Sequence, residues 1–286
     1  MSLLHVIFAP GLFSSPSVQA AMTVGGVVAL VCAPVGVFTV MRGQSFAGHA
    51  FSDISATGGS AAFLLGISPL LGFALMGLAG AGAMEALGAG RHRGRDLVTG
   101  IVLGAGLGIS ALLLYLSTTV HTTTGAAVTV LFGSIFAVSS ASWPTVIAFG
   151  AAALSLVAVV YRPLLLSSIS PDLAAAQGTR ASLVGAAYMG ALALSVALSA
   201  LTIGAILSTA LLIGPAAAAL RLAKTPGRAT AWAGAIALGS VWAGIVLAYD
   251  SYGWPPVHQG WPVSFFVVTL VLICYLLAQL PAWRGR

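Results

Sequence analysis

Apolar segments about twenty residues long recur along the whole chain, and they constrain its fold more than any other feature. A helix needs about 20 mostly apolar residues to cross a bilayer, and the bilayer admits only helices and closed barrels. Hydrophobic residues make up 59% of the chain and charged residues 6%, whereas a soluble domain carries roughly 25% charged residues. The sequence therefore predicts an all-α polytopic membrane protein with about nine transmembrane helices, at residues 18–41, 46–66, 69–88, 97–116, 143–161, 181–199, 201–222, 230–249 and 262–280.

The basic residues lie in short loops between these segments and predict the orientation of the chain. Lys and Arg are enriched in the cytoplasmic loops of membrane proteins, so the net charge of +6 does not indicate nucleic-acid binding. With nine spans, all five groups of basic residues face the cytoplasm if region 117–142 stays on the outer side and does not cross the membrane. The N-terminus is then outside and the C-terminus inside. Its apolar run 130–136 is too short to span, which predicts an interfacial or re-entrant helix. The basic groups are Arg42, 91–95, Arg162 with Arg180, 221–228, and Arg284 with Arg286.

A histidine and an aspartate lie four residues apart in the second apolar segment. His49 and Asp53 would share one face of a helix, one turn apart. An ionisable side chain within a membrane span is costly and normally faces a bundle interior or a water-filled path. Imidazole and carboxylate can together hold a divalent metal ion, but the pair could equally be a buried ion pair that only packs the bundle. The spacing alone does not favour the metal-binding pair over the structural ion pair.

A second informative stretch, 170–180, is polar and carries the signals of a short helix. Ser170 is a suitable N-cap, Pro171 fits the first helical position, and Asp172 favours the positive end of the helix dipole. Gly178 is a typical C-terminal stop. The charge rule places this helix on the cytoplasmic face, where its capping indicates a docking element for a partner rather than a simple loop.

Two further features bear on mechanism. Gly214-Pro215 lies inside the seventh apolar segment, and proline removes a backbone donor there, so we expect a kink or an interruption of the helix. The chain contains no G-x-x-x-x-G-K-[ST] motif, which is the phosphate-binding loop of many ATPases. The chain is therefore not expected to hydrolyse ATP, and any coupling to ATP must come from another subunit.

In their order and spacing, these motifs resemble the permease subunit of the bacterial ABC importers for zinc, manganese and iron (ABC-3 type). The family segment G-D-A-x-S-H-A corresponds to Gly-His-Ala-Phe-Ser-Asp-Ile at 48–54, with the acid and the histidine in exchanged order. The cytoplasmic D-P-E-L-A-x-A-x-G helix corresponds to 170–178, and L-L-I-x-P-A-A-x-A to 211–219. A weaker L-F-G element lies at 131–133. The resemblance covers most of the chain, from about residue 18 onwards.

The resemblance implies a non-catalytic permease in the bacterial cell membrane, one transmembrane domain over 1–286 with an N-terminal segment 1–17 and a helical bundle 18–282. It implies a homodimer that imports zinc or manganese, ahead of iron, with ions in transit at His49 and Asp53 and no permanently bound cofactor. The implied partners are a cytoplasmic ATP-binding cassette subunit, an extracytoplasmic metal-binding protein, a second copy of the chain and lipid. The residues implied to contact the ATPase are Pro171, Asp172, Leu173, Ala174, Ala175, Gln177 and Gly178.

Two other classes of function stay open at the level of sequence. The chain could be a self-sufficient secondary cation transporter or channel, in which the His–Asp pair relays protons or ions. It could also be a membrane enzyme with a metal at the pair, although no further ligands such as an H-E-x-x-H motif occur. The capped helix at 171–178 favours the ABC permease over the self-sufficient transporter.

Overall fold

The computed structural model describes residues 12–86, 95–120, 125–138, 142–254 and 260–280, and every regular element in these ranges is a helix. The basic residues at 91–94 and the C-terminal arginines lie outside the described residues. The described residues form twelve α-helices: α1 Pro16–Met41, α2 Ser45–Leu65, α3 Pro69–Ala86, α4 Arg95–Val120, α5 Ala126–Phe132, α6 Trp143–Val159, α7 Tyr161–Ile169, α8 Pro171–Ala176, α9 Ala181–Ile203, α10 Ala205–Leu222, α11 Pro226–Asp250 and α12 Val263–Leu277.

The predicted all-α membrane fold is confirmed, and each predicted segment contains a long helix. Six helices in the described ranges, α1, α3, α4, α9, α10 and α11, are long and apolar enough to cross a membrane. The pair α6 and α7, bent by 63°, counts as a seventh if it forms one span. Helix α2 has 21 residues but is less apolar because of its polar side chains, and α12 has 15 residues. The count of about nine is therefore approximate.

Helix α2 packs closely against α3 and α4 because glycines let these neighbours approach its backbone. A Cβ atom on Gly58 would lie 2.0 Å from the carbonyl oxygen of Gly72 in α3, and one on Gly72 would lie 2.3 Å from that of Gly58. On the side of α4, Thr57 Oγ1 donates to the carbonyl of Gly106 at 2.8 Å. Small residues and interhelical hydrogen bonds are the usual means of helix association in lipid, and here they hold α3 and α4 against α2.

The turn between α9 and α10 lies inside the bundle. Helix α9 runs antiparallel to α1, since Cys32 contacts the carbonyl of Ser195 at 3.8 Å and Thr39 contacts Tyr188 at 2.7 Å. Continuing this register places the turn residue Gly204 about 10 Å inward from the start of α1, at 1.5 Å per residue. Gly204 has a φ of +88°, which glycine adopts without strain. The turn predicted from the sequence, between residues 199 and 201, lies about four residues before Gly204, because no charged residue or proline marks the end of α9.

The short helix α5 covers this internal turn. Its seven residues are too few to cross a bilayer, as predicted for the run 130–136. Val130 and Ile135 are fully or almost fully buried, so the segment re-enters the bundle rather than lying at the interface. The amide of Ser134 donates to the carbonyl of Leu201 at 3.4 Å. Non-helical backbone at membrane depth is tolerated where protein surrounds it in this way.

The predicted interruption at Gly214-Pro215 is wrong, because α10 continues through both residues. Membrane helices tolerate an internal proline when neighbouring groups satisfy the freed backbone carbonyl. Gly214 has a packing role instead, since a Cβ atom there would lie 2.3 Å from Cγ1 of Val271 in α12. Helix α1 likewise contains an internal proline, Pro34, that the sequence analysis did not single out. A kink at Pro215 stays a prediction.

Candidate metal site

Helix α2 brings His49 and Asp53 together on one face, as their spacing predicts. Nε2 of His49 lies 3.7 Å from Oδ2 of Asp53. This distance is longer than a hydrogen bond, so the two atoms are neighbours that leave room for a bridging group. The His49 side chain is 45% exposed, whereas that of Asp53 is only 7% exposed. The pair therefore lies at the edge of the bundle, with the acid on the buried side.

A hydroxyl on α10 orients the histidine ring. Nδ1 of His49 lies 3.2 Å from Oγ1 of Thr209. When Nδ1 carries the proton and donates it to Thr209, Nε2 presents its lone pair toward Asp53, as a metal ligand requires. Outer-shell partners of this kind fix the tautomer and orientation of metal-binding histidines.

Asp53 has a carboxylate oxygen without a hydrogen-bond partner. Its Oδ2 atom is buried, and no group in the described part of the chain donates to it. The hydroxyl of Thr57 bonds the backbone carbonyl of Asp53, at 3.3 Å, and not its side chain. A buried polar oxygen without a partner is costly. The site thus offers an oxygen that a cation or a proton would satisfy.

Hydroxyl groups extend the polar surface from the pair towards the start of α10. Ser52 Oγ donates to the carbonyl of Ala205 and lies 2.6 Å from Ser208 Oγ. The sequence analysis missed Ser208 and Thr209 as neighbours of the pair. The adjacent hydroxyls within an apolar segment were a signal, but only the antiparallel packing of α10 on α2 brings them to His49.

One chain does not supply a complete metal site from its described residues. No group of three or more His, Cys, Asp or Glu side chains that could hold a metal ion occurs among them. Structural zinc sites close with four ligands, so one His and one Asp are too few for tight binding. The role of His49 and Asp53 as ligands stays a prediction.

The capped helix predicted at 170–178 forms as helix α8. Ser170 Oγ accepts a hydrogen bond from the amide of Leu173 at 3.4 Å, and Pro171 occupies the first position. Gly178, with φ +73°, ends the helix. Ala174 is buried against the rest of the chain, and Leu173 is 53% exposed. The other predicted docking residues are exposed as well, namely Pro171, Asp172, Ala175, Gln177 and Gly178. Their contact with an ATPase stays a prediction.

Ionisable side chains inside a helical membrane bundle are costly and commonly mark ion or substrate pathways, as in membrane transport proteins. The comparison with family models gives the particular class. The chain belongs to the ABC 3 transport family, whose model matches residues 14–278. The resemblance noted from the motifs is thereby confirmed.

Individual relatives agree with this assignment. The chain is 29% identical over 242 residues to the high-affinity zinc uptake system membrane protein ZnuB of Haemophilus influenzae. The matched region covers 83% of this chain and 90% of that protein. It is 27% identical over 282 residues to the manganese transport system membrane protein MntC of Halalkalibacterium halodurans, covering 96% and 94%. The fold matches PsaBC from Streptococcus pneumoniae, solved in complex with Fab, with a TM-score of 0.80 at 24% identity, over 98% of this chain and 96% of that one.

Proposed function

We propose that this chain is the membrane permease subunit of an ATP-driven bacterial importer for zinc or manganese, ahead of iron. The observation that carries the proposal is the His49–Asp53 pair, with a buried carboxylate oxygen that lacks a hydrogen-bond partner within the described residues. Zinc and manganese both accept imidazole and carboxylate ligands. The names of the relatives, a zinc uptake protein and a manganese transport protein, support the same two metals.

A second copy of the chain would complete the site. A histidine that is 45% exposed on a membrane helix would face lipid or a water-filled path in a monomer, and contact with lipid is unfavourable for a polar group. A homodimer would cover that face and add a second His49 and a second Asp53, giving two nitrogen and two oxygen ligands. Such a site could bind an ion without closing as tightly as a structural zinc site, and a transport pathway must also release its ion.

ATP would be hydrolysed by a separate cytoplasmic subunit. The chain has no phosphate-binding loop, and α8 presents an exposed, capped surface suited to docking. We assign α8 the role of coupling helix and place the whole chain, as one permease domain, in the bacterial inner membrane. An extracytoplasmic metal-binding protein would deliver Zn²⁺ or Mn²⁺ to the opposite side, and no permanently bound cofactor or nucleic acid is required.

Reconstitution tests the proposal. The chain, its ATP-binding cassette subunit and the metal-binding protein would be incorporated into proteoliposomes, and uptake of radiolabelled Zn²⁺ and Mn²⁺ measured with and without ATP. We expect uptake of at least one of the two metals that depends on ATP and on the binding protein. As a control, the variant Thr23→Val, which alters an exposed residue of α1, should transport metal as the wild type does. Uptake by the permease alone, driven by an ion gradient and indifferent to ATP, would instead identify a secondary transporter.

A further inference from the structure

Arg42 lies at the junction between α1 and the helix that carries the metal site. It is the C-cap residue of α1, and α2 begins three residues later at Ser45. The turn is short because Gly43 has a φ of +62°, a conformation that suits glycine. His49 lies on the second turn of α2, so a displacement of Arg42 acts on the start of the helix that carries the pair.

The Arg42 side chain contacts two other helices. Its Nη1 atom donates a hydrogen bond to Oγ of Ser167 in α7 at 3.0 Å. The Ser167 hydroxyl donates in turn to the carbonyl of Leu164 at 3.0 Å, which leaves its oxygen lone pairs for Arg42. The guanidinium carbon lies 5.4 Å from the centre of the Tyr188 ring in α9, within the range of a cation–π interaction.

Tyr188 is itself held in a fixed position. The residue is completely buried, and its hydroxyl lies 2.7 Å from Oγ1 of Thr39. Thr39 Oγ1 donates its proton to the carbonyl of Val35 at 2.8 Å, so the tyrosine hydroxyl is the donor to Thr39. The ring is therefore a rigid platform under Arg42, and α9 is joined to α1 at this level.

Helix α7 connects this junction directly to α8. Ser167 lies in the last turn of α7 and only Ser170 separates α7 from Pro171, the first residue of α8. Leu164, on the same helix, is completely buried, and Tyr161 packs edge-to-face on Phe38 of α1 with ring centres 5.7 Å apart. A displacement of α8 would thus move α7 and, through Ser167, pull on the Arg42 guanidinium.

We propose that Arg42 is a positioning residue that transmits displacement of helix α8 to α2 and so couples ATP hydrolysis to the His49–Asp53 site. The inference rests on the proposed function, because it takes α8 to be the coupling helix. Arginine suits the role because its planar group can stack on Tyr188 while it donates to Ser167, which a lysine ammonium does less well.

The test uses the complete complex in proteoliposomes. Arg42→Gln removes the charge, and Ser167→Ala removes only the acceptor on α7. The measurements are ATP hydrolysis with and without the metal-loaded binding protein, equilibrium binding of radiolabelled metal, and assembly with the ATPase subunit.

We expect Arg42→Gln to lower the metal-stimulated component of ATP hydrolysis about tenfold, within the usual range of coupling between sites. Ser167→Ala should lower metal-stimulated hydrolysis about threefold, a change of the size found for single residues along a coupling path. Basal hydrolysis, metal binding and assembly should stay within about twofold of the wild type, whereas a merely structural role would reduce them all together.

The control is Arg162→Gln, which removes an exposed arginine from the same helix α7 and should leave stimulation unchanged. If Arg42→Gln does not assemble, Ser167→Ala decides alone. Normal stimulation in every variant that assembles would overturn the role of Arg42. A wild-type complex without metal-stimulated hydrolysis would instead refute the proposed function, so the two failures are distinguishable.

Discussion

The close contact between α2 and α3 gives a prediction whose size follows from the structure. In Gly58→Ala, the new Cβ atom would lie 2.0 Å from the carbonyl oxygen of Gly72 and 2.5 Å from Cβ of Met76. The first distance falls 1.4 Å short of the 3.4 Å at which ordinary contact begins. The obstacle is backbone rather than a flexible side chain, so the two helices must separate.

Overpacking of this kind costs about 1–3 kcal/mol, against which alanine returns up to about 1 kcal/mol of helix propensity. Because the obstacle is backbone, we take the upper end of this cost and expect a net loss of unfolding free energy of about 2 kcal/mol. Metal uptake should also fall, because Gly58 lies on the helix that carries Asp53. The matched control is Gly104→Ala in α4, where an added Cβ atom meets nothing within 4 Å. It should be neutral or slightly stabilising.

The assay is the thermal unfolding of both purified variants in the same detergent, together with radiometal uptake after reconstitution. If Gly58→Ala were as stable and as active as Gly104→Ala, the close approach of α2 and α3 would not be a feature of the protein. The reasoning that this contact positions the metal site would then be refuted.

Two further predictions concern the cytoplasmic face. Leu173→Asp places a charge on a side chain that is 53% exposed, so it should abolish metal-dependent ATP hydrolysis while insertion and dimer formation persist; wild-type stimulation would argue for a self-sufficient transporter. Single cysteines at Gln259 and Gly285, in a background without Cys32 and Cys274, should label from opposite sides of intact cells. Labelling of both from one side would contradict the predicted orientation.

Local signals were sufficient to predict several elements from the sequence. The cap at Ser170, the proline at the first position and Gly178 as a stop all act within one or two helical turns, and α8 forms where they place it. The four-residue spacing of His49 and Asp53 likewise determines their shared face once α2 is helical. The apolar segments predicted the membrane helices because their lengths match the thickness of the bilayer.

Features that depend on long-range packing could not be obtained in this way. Ser167 is 125 residues from Arg42 along the chain, and Thr209 is 160 residues from His49. Their proximity depends on how α7 and α10 pack, which the apolar pattern does not encode. The end of α9 was misplaced because no charged residue or proline marks it in the sequence. At Pro215 the helix continues although proline removes a backbone donor, which the local rule did not predict.

Alanine variants of His49 and Asp53 show whether metal passes through this site. If the pair were only structural, removing one member would strand the other, at a cost of roughly 3–5 kcal/mol for a buried charge. The double variant would then recover part of the lost stability and retain transport. If the pair lies on the pathway, both single variants should insert and fold but move little metal, and the double variant should move none.

A His49→Asp, Asp53→His exchange keeps the same ligand types on the same helical face. It restores the order of acid and histidine in the family segment G-D-A-x-S-H-A. The variant should retain some transport, with altered metal selectivity. This variant separates a loss of ligands from a general intolerance of substitution in α2.

The decisive measurement is therefore uptake of radiolabelled Zn²⁺ and Mn²⁺ by the double alanine variant, reconstituted with its ATPase and binding-protein partners, alongside its thermal stability. Our account predicts a folded, assembled complex with no uptake above that of empty vesicles. Uptake near that of the wild type would show that His49 and Asp53 do not lie on the metal pathway.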